Sequence, residues 1–501
     1  MAAAVAAVVT AVAVLAGGCS DGDGGDAVAV FASQKSLSVS CVNIKKALEL
    51  ADTRLDKDGR PEASAALRNV LSALPAGSRA AFDALLDNRY VVWDRAVAVS
   101  GAVDNGTVTL TVVNVGDADN FMDDLAARTG AKPEGAGNWE GLVLQDGQVA
   151  LAGRGFGIIA GGRAVRGSVK NAAGAVEQLC RQAADSPLTP PLAHHLEGDA
   201  LVRCLRQCTA DNLMDGPASR LPAGLQQKLR AMAPFRLAFT ADCRGKELSA
   251  SGKFLDEDGN ALQKLDIGKI DPRLASLAGA GHDVGLFAGD VTLLLNGGLP
   301  DVFDAPLKAL TAAAKGPALL SGRFPAKYLD GGDFADLNFA TVIPVRTGTG
   351  AKLLDSVLKP LLPGTVKAYR PGSYLEVSDT QTSYEAAENY YDEDVAVVKT
   401  VTVTASVKTL DEGTGNATEV LCVYYNCKPG ANRLKVADGD AGMALVAALT
   451  PQSLRGLPLT LPCSLNATVT LGSDGFRATA TVSGTDRSMA QVLLSLWTSP
   501  L

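Results

Sequence analysis

The sequence has very little of what the common enzyme classes need. Histidine occurs at only three of its 501 positions, and the chain contains neither Gly-x-Ser-x-Gly nor His-Glu-x-x-His. These two motifs mark the nucleophile of α/β-hydrolases and the ligands of zinc proteases. His194 and His195 with Glu197 are candidate metal ligands, but beside a proline-rich segment they are more simply a solvated connection. The sequence therefore predicts no catalytic residue, no metal site and no cofactor.

Positive charge is also scarce. The chain has 46 Lys and Arg against 54 Asp and Glu, a net charge of −8, and no Lys or Arg precedes Lys35. Because nucleic-acid binding depends on basic surface, this balance argues against DNA or RNA as a partner. With 501 residues the chain is long enough for two to four domains, and its 47% of hydrophobic residues can fill their cores.

The N-terminus predicts export and a lipid anchor. Residues 2 to 16 are nearly all Ala and Val, and Gly17 and Gly18 precede Cys19. An apolar run followed by small residues is typical of a secretory signal. We expect residues 1–18 to be a lipoprotein signal peptide and Cys19 to be the lipid-bearing, palmitate-type first residue. Residues 19–26 are acidic and glycine-rich, which predicts a flexible tether. An uncleaved apolar helix and an ordinary cleaved signal are the alternatives.

Eight further cysteines remain if Cys19 carries lipid. Oxidising compartments allow disulfides, and a short loop between Cys422 and Cys427 is the expected one. The spacing of Cys204 and Cys208 suits a zinc pair, but no matching second pair follows. We expect the remaining cysteines to be buried thiols.

Internal similarity is the strongest structural signal. Four segments show alternating apolar residues around a turn and then an acidic helix start, and each follows a short apolar strand. They are 96–125, 236–265, 337–358 (where the hairpin has shrunk) and 465–496. Segments 131–196 and 366–430 have no counterpart among these four.

These repeats predict an α+β fold with two related halves. Each half would be an antiparallel sheet with helices packed on one face, because a hairpin with one apolar face must be covered. Together the halves would contain about four strand-helix-hairpin-helix units. The expected bounds are 27–270 for the N-terminal half and 271–501 for the C-terminal half, with a tyrosine-rich β insertion at 366–430.

This insertion contains the candidate binding surface. Seven of the nine tyrosines fall there, around an acidic run at 385–394. Tyrosine buries a large ring at low entropic cost and keeps a polar tip, which suits glycan or protein contacts. The alternative is a long hairpin whose tyrosines pack on their strand neighbours. The candidate surface residues are Tyr384, Tyr390, Tyr391, Tyr424 and Tyr425.

The signal, the acidic tether, the opening strand and helix at 39–50 and the duplicated units together resemble a known group. They are similar to large lipoproteins of Bacteroidetes-type bacteria that carry a domain of unknown function. The resemblance covers most of the mature chain and supplies no catalytic residues. It implies that Ser20–Asp26 acts as a signal for export to the cell surface.

We therefore expect a membrane-anchored exported lipoprotein at the outer membrane or cell surface, with the periplasmic face as the alternative. A non-enzymatic protein that binds a glycan or envelope protein is favoured. The alternative is an enzyme of unrecognised class, for example a glycan hydrolase with paired carboxylates, which would need a cleft with facing acidic side chains.

Overall fold

The computed structural model describes most of the chain after residue 32. The described residues are 33–50, 53–57, 59–62, 85–93, 97–103, 108–211, 221–263, 265–295, 313–314, 316–323, 338–362, 364–385, 395–411, 417–436, 440–453, 463–489 and 491–492. They fall into two compact units. The first takes its residues from Met1–Arg220, Arg230–Gln263 and Asp486–Pro500, and the second from Leu221–Leu229 and Lys264–Thr485.

Ten described strands form the sheet of the first unit, and every pairing between them is antiparallel. Their order across the sheet is β4-β5-β6-β7-β3-β2-β1-β8-β9-β10. Their bounds are β1 Ser38–Asn43, β2 Val97–Val103, β3 Val108–Asn114, β4 Glu134–Ala136, β5 Trp139–Val143, β6 Val149–Gly153, β7 Phe156–Gly161, β8 Val202–Cys208, β9 Phe235–Arg244 and β10 Glu247–Leu255.

Ten described strands of the second unit repeat this arrangement. Their order is β14-β15-β16-β17-β13-β12-β11-β18-β19-β20, again entirely antiparallel. Their bounds are β11 Val284–Ala288, β12 Ala318–Gly322, β13 Phe339–Val345, β14 Thr365–Arg370, β15 Tyr374–Glu385, β16 Val395–Asp411, β17 Ala417–Tyr425, β18 Met443–Leu449, β19 Ser464–Leu471 and β20 Gly475–Ser483.

The two strand orders are the same when ten is added to each number of the first. Strands β14 to β17 therefore occupy in the second unit the place of β4 to β7 in the first. The two segments without a counterpart in the sequence, 131–196 and 366–430, contain these matching groups of strands. The hairpins β2–β3, β9–β10 and β19–β20 form where alternation predicts them. Segment 337–358 forms none, because β13 pairs with β12 and β17.

Helices connect the strands and are mostly short. Asp117 caps α2 (Ala118–Thr129) by accepting a hydrogen bond from Asn120 N, and Gly130 ends that helix at φ +70°. Ser168 caps α3 (Val169–Asp185) by accepting a hydrogen bond from Asn171 N. No helix among the described residues is long and apolar enough to cross a membrane. The bounds are α1 Ile44–Leu50, α2 Ala118–Thr129, α3 Val169–Asp185, α4 Pro190–His194, α5 Ala223–Met232, α6 Thr292–Leu295, a 3-10 helix Pro272–Leu277, and the consecutive segments Gly350–Leu353, Leu354–Leu358 and Lys359–Leu361, together α7.

The predicted α+β class is wrong. Strand accounts for 43% and helix for 22% of the residues that the structure describes, so this part of the protein is mainly antiparallel sheet. The helices also do not keep to one face. On β6, Leu151 belongs to the core cluster that contains Val169 and Val176 of α3, whereas Ala150 belongs to the cluster that contains Phe121 of α2. Because neighbouring strand residues point to opposite faces, β6 is buried on both faces.

Candidate functional site

A two-stranded ribbon is the most unusual element of the second unit. We use the name "the ribbon" for Asp379–Glu385 of β15 paired with Val395–Val401 of β16. Strand β14 pairs with β15 only as far as Ser378, and β17 pairs with β16 only from Val403 onward. Among the described strands, no third strand accompanies the ribbon. At about 3.3 Å per residue, it extends the sheet by roughly 20 Å.

The two faces of the ribbon differ in exposure. Val398 is 64% exposed, the largest fraction among the exposed large hydrophobic residues described, whereas Val401 is only 3% exposed. Thr380 and Thr400, which are paired across the ribbon, are also exposed. Solvent therefore reaches the apolar side chain of Val398, which lies among exposed threonines on this face of the ribbon.

The predicted tyrosines do not form a single surface. Tyr390, Tyr391 and Cys19, the residue predicted to carry lipid, lie outside the described residues. Tyr384 lies on the ribbon, where the register places it opposite Ala396. Tyr425 is half-buried and its ring stacks on that of Phe339 with centroids 5.0 Å apart.

Tyr424 is a core residue and cannot contact a partner. Its side chain is 0% exposed, and its hydroxyl donates a hydrogen bond of 2.8 Å to the carbonyl oxygen of Leu277. Burial raises the pKa of Tyr424, which keeps the hydroxyl protonated. Neighbouring strand residues alternate between faces, so Tyr424 and Tyr425 could not both have been exposed in the same way. Including Tyr424 in the candidate surface was wrong.

The expected disulfide between Cys422 and Cys427 is not formed, and both residues are free thiols. Cys422 is in the extended part of β17, and the chain continues as strand to Tyr425 before it turns. A disulfide needs Cα atoms within about 7 Å of each other, and the extended residues that follow Cys422 carry the chain farther than this before it turns. The Cys427 thiol instead donates to the carbonyl oxygen of Phe339 at 3.3 Å. Burial raises the pKa of Cys427 to about 11.

One cluster resembles a catalytic triad in composition. The Nδ1 atom of His282 lies 2.9 Å from Ser321 Oγ, and its Nε2 atom lies 2.8 Å from Asn338 Oδ1. The backbone N–H of Gly279 also donates to Nδ1, at 3.2 Å. Nδ1 is therefore an acceptor, and the proton resides on Nε2 and is donated to Asn338.

This cluster has a structural role. Both His282 and Ser321 are 0% exposed, and Ser321 is within strand β12 of the sheet. A serine nucleophile must reach its substrate, and its base needs a free lone pair on the nitrogen that faces it. Here Nδ1 already accepts from Gly279. Sequence reasoning counted His282 only as one of three histidines, and the signal that could have located it is the preceding Gly279-Ala280-Gly281 turn.

A groove of about 450 Å³ lies between β4 and α3 in the first unit. Its floor is made of small residues, and its charged lining alternates in sign through Glu134, Lys170, Glu177 and Arg181. The Oε1 atom of Glu177 accepts hydrogen bonds from Trp139 Nε1 at 2.9 Å and from Arg154 Nη2 at 3.0 Å. Glu177 is thus engaged in a partly exposed ion pair with Arg154 and in a hydrogen bond with Trp139.

Within the described parts of the chain, no group of three or more His, Cys, Asp and Glu side chains is placed to hold a metal ion. His194 and Glu197 lie 3.3 Å apart on the surface beside α4, as an exposed pair.

Comparison with known proteins yields only weak similarity. No family model and no curated protein matches the chain. Among solved structures, crystal forms I, III and IV of TP0453 align with 45% of this chain, at 9%, 8% and 9% identity. The alignments cover 77%, 78% and 79% of TP0453, with TM-scores of 0.29, 0.26 and 0.25. Similarity at this level establishes neither a shared fold nor a shared function.

Proposed function

We propose that this protein is an exported lipoprotein, anchored by lipid on Cys19 at the outer membrane or cell surface, that binds a glycan or an envelope protein. The observation that carries the binding role is the ribbon. Isolated two-stranded hairpins are marginally stable in water. The ribbon also exposes Val398, so a partner that packs on the ribbon would stabilise it and remove this side chain from water.

The anchoring role is supported by the N-terminal sequence. An apolar Ala/Val run leads to Cys19, and the acidic glycine-rich residues 20–26 follow it. The first strand of the folded body, β1, begins at Ser38. A flexible tether of this composition would hold the body away from the lipid surface while leaving the ribbon accessible.

Lipid attachment is tested by metabolic labelling with a fatty-acid analogue. The wild-type protein should incorporate label and fractionate with membranes, and Cys19→Ala should lose both properties, because no other residue would carry the lipid. Cys180→Ala is the matched control, since Cys180 is a half-buried free thiol in α3. Equal labelling of Cys19→Ala and wild type would refute the anchor.

Binding is tested with purified envelope glycan and purified envelope proteins as separate probes. Replacing Tyr390 and Tyr391 by Ala should weaken retention by about tenfold or more, because aromatic residues dominate contact energies. Tyr374→Ala, at the first residue of β15, is the control and should retain binding. Circular dichroism should show all three proteins folded. Retention of the double variant equal to that of wild type would rule out the tyrosine contact.

A further inference from the structure

The outer edge of β16 has a defined backbone orientation. The N–H of Thr402 donates to Asn426 Oδ1 at 2.9 Å, and the carbonyl oxygen of Thr402 accepts from Asn426 N at 2.8 Å. Both backbone groups of Thr402 therefore point away from β15 and toward the β17 side. In an antiparallel ladder every second residue points the same way. Thr400, Val398 and Ala396 accordingly direct their N–H and C=O groups to that same edge.

Strand β17 stops covering this edge at Asn426. Asn426 has φ +52°, and the N–H of Asn338 Nδ2 donates to its carbonyl oxygen at 3.1 Å, which fixes the point where the chain turns away. The register of β15 with β16 is unbroken from Tyr374 to Glu385. Within the described strands, the edge of β16 before Thr402 thus has ladder geometry but no partner strand.

This edge has less of the protection that an open strand normally carries. Protected edges carry charge, proline or a bulge. Strand β14, the exposed edge at the end of the sheet, has a register shift between Val366 and Ala368 and carries Lys367 and Arg370. The β16 edge reads Val-Ala-Val-Val-Lys-Thr-Val over 395–401, without a bulge and with Lys399 as its one charge.

A second copy of the chain fits this edge better than it fits the other edge of the ribbon. Antiparallel self-pairing of β16 about Val398 sets Val398 opposite Val398 and Ala396 opposite Thr400, with no like charges opposed. Self-pairing of β15 about Thr382 would set Asp379 opposite Glu385, two carboxylates. We infer that the protein self-associates through the outer edge of β16, which joins the ribbons of two copies into one four-stranded sheet.

The register determines what holds the two copies together. Val398 and its symmetry mate exchange two backbone hydrogen bonds, and each pairing of Ala396 with Thr400 exchanges two more. The inference goes beyond the proposed function, because it requires neither lipid on Cys19 nor a ligand. A wild-type protein that is monomeric but keeps its membrane labelling and ligand retention would therefore overturn this inference and leave the proposed function standing.

The test is the oligomeric state of the full chain, purified in density-matched detergent and measured by sedimentation equilibrium over the micromolar range. Wild type should be dimeric. Val398→Pro removes one edge donor from each copy and leaves the β15 ladder intact, because proline is tolerated where the N–H faces outward. It should weaken the dimer on the order of tenfold. Val366→Lys, at an exposed position of β14, should leave the dimer unchanged.

Disulfide cross-linking gives a result that does not depend on how Val398→Pro folds. Hydrogen-bonded antiparallel pairs have Cα atoms about 5.5 Å apart, within disulfide range. Val398→Cys should give reducible dimers under mild oxidation, and wild type and Val366→Cys should not. A monomeric wild type, a dimer unaffected by Val398→Pro, or a Val398→Cys protein without cross-links would each overturn the inference.

Discussion

Replacing Gly289 by Ala is expected to lower the free energy of unfolding of the second unit by about 3 kcal/mol, because a methyl group there would overlap backbone atoms. A Cβ at this position would lie 2.6 Å from the carbonyl carbon of Gly268 and 2.7 Å from the carbonyl oxygen of Ile267. Gly289 N also donates to the carbonyl oxygen of Gly442 at 2.6 Å, so the segment is held on both sides. Urea unfolding followed by circular dichroism measures the effect.

Gly174→Ala is the control for this prediction and should have the opposite sign. Gly174 is exposed in the middle of α3, and nothing lies within 4 Å of a Cβ built there. Alanine favours helix over glycine, so the first unit should become more stable by roughly 0.5–1 kcal/mol. A Gly289→Ala protein as stable as wild type would show that the three backbone segments are not packed as described.

Acidification should destabilise the protein in a window set by His282. Burial lowers the pKa of His282, and the nearby Arg323 lowers it further, whereas Asp283 and the hydrogen bond to Asn338 act in the opposite direction. The unfolded chain therefore takes up the proton first, below a pH of about 6.5. The stabilisation that comes from keeping His282 neutral is present above that pH. It is lost as the pH falls toward the pKa of His282 in the folded state, and the free energy of unfolding drops by at most about 1.4 kcal/mol per pH unit.

Replacing His282 by Gln should flatten this pH dependence and lower stability at neutral pH by roughly 1–3 kcal/mol, because buried partners lose a hydrogen bond. The readout is the urea midpoint between about pH 7.5 and 5.5, above the range in which most carboxylates titrate. His195 contributes in the same direction, because burial lowers its pKa too. The exposed His194→Gln is the control. An unchanged slope in His282→Gln would contradict the assignment.

Local alternation was sufficient to predict the hairpins but not the sheets. Strand β10 shows the local signal clearly. Leu248, Ala250 and Phe254 are buried and alternate with exposed positions, as expected of a half-buried strand. Pairing between distant segments leaves no such local signal. Nothing in the residues around Cys41 indicates that it will lie opposite Arg203, yet that pairing decides the fold class.

The sequence shows that the fold is duplicated, but the predicted unit of four short repeats was wrong: the repeated unit is the whole set of ten strands. Strands β15 and β16 have 12 and 17 residues, whereas their counterparts β5 and β6 have 5 each. This difference in length hid the correspondence between 131–196 and 366–430. Of the candidate site, the sequence could indicate a tyrosine-rich β region, but not that Tyr424 faces the core. The burial of Tyr424 depends on which face of the paired strands β13 and β17 packs against the core.

The central strands β1 and β11 pair with strands that come much later in the sequence, and this affects how the protein folds. Strand β1 needs β8 as its partner, and β11 needs β18, with Val284 opposite Ala447. Contacts between residues so far apart in sequence slow folding, because a long loop must close before they form. A chain that emerges from a membrane with its N-terminus first would present β1 with one edge unpaired until β8 arrives. Such an edge aggregates readily, so the export proposed above would require a chaperone that holds the chain until the later strands follow.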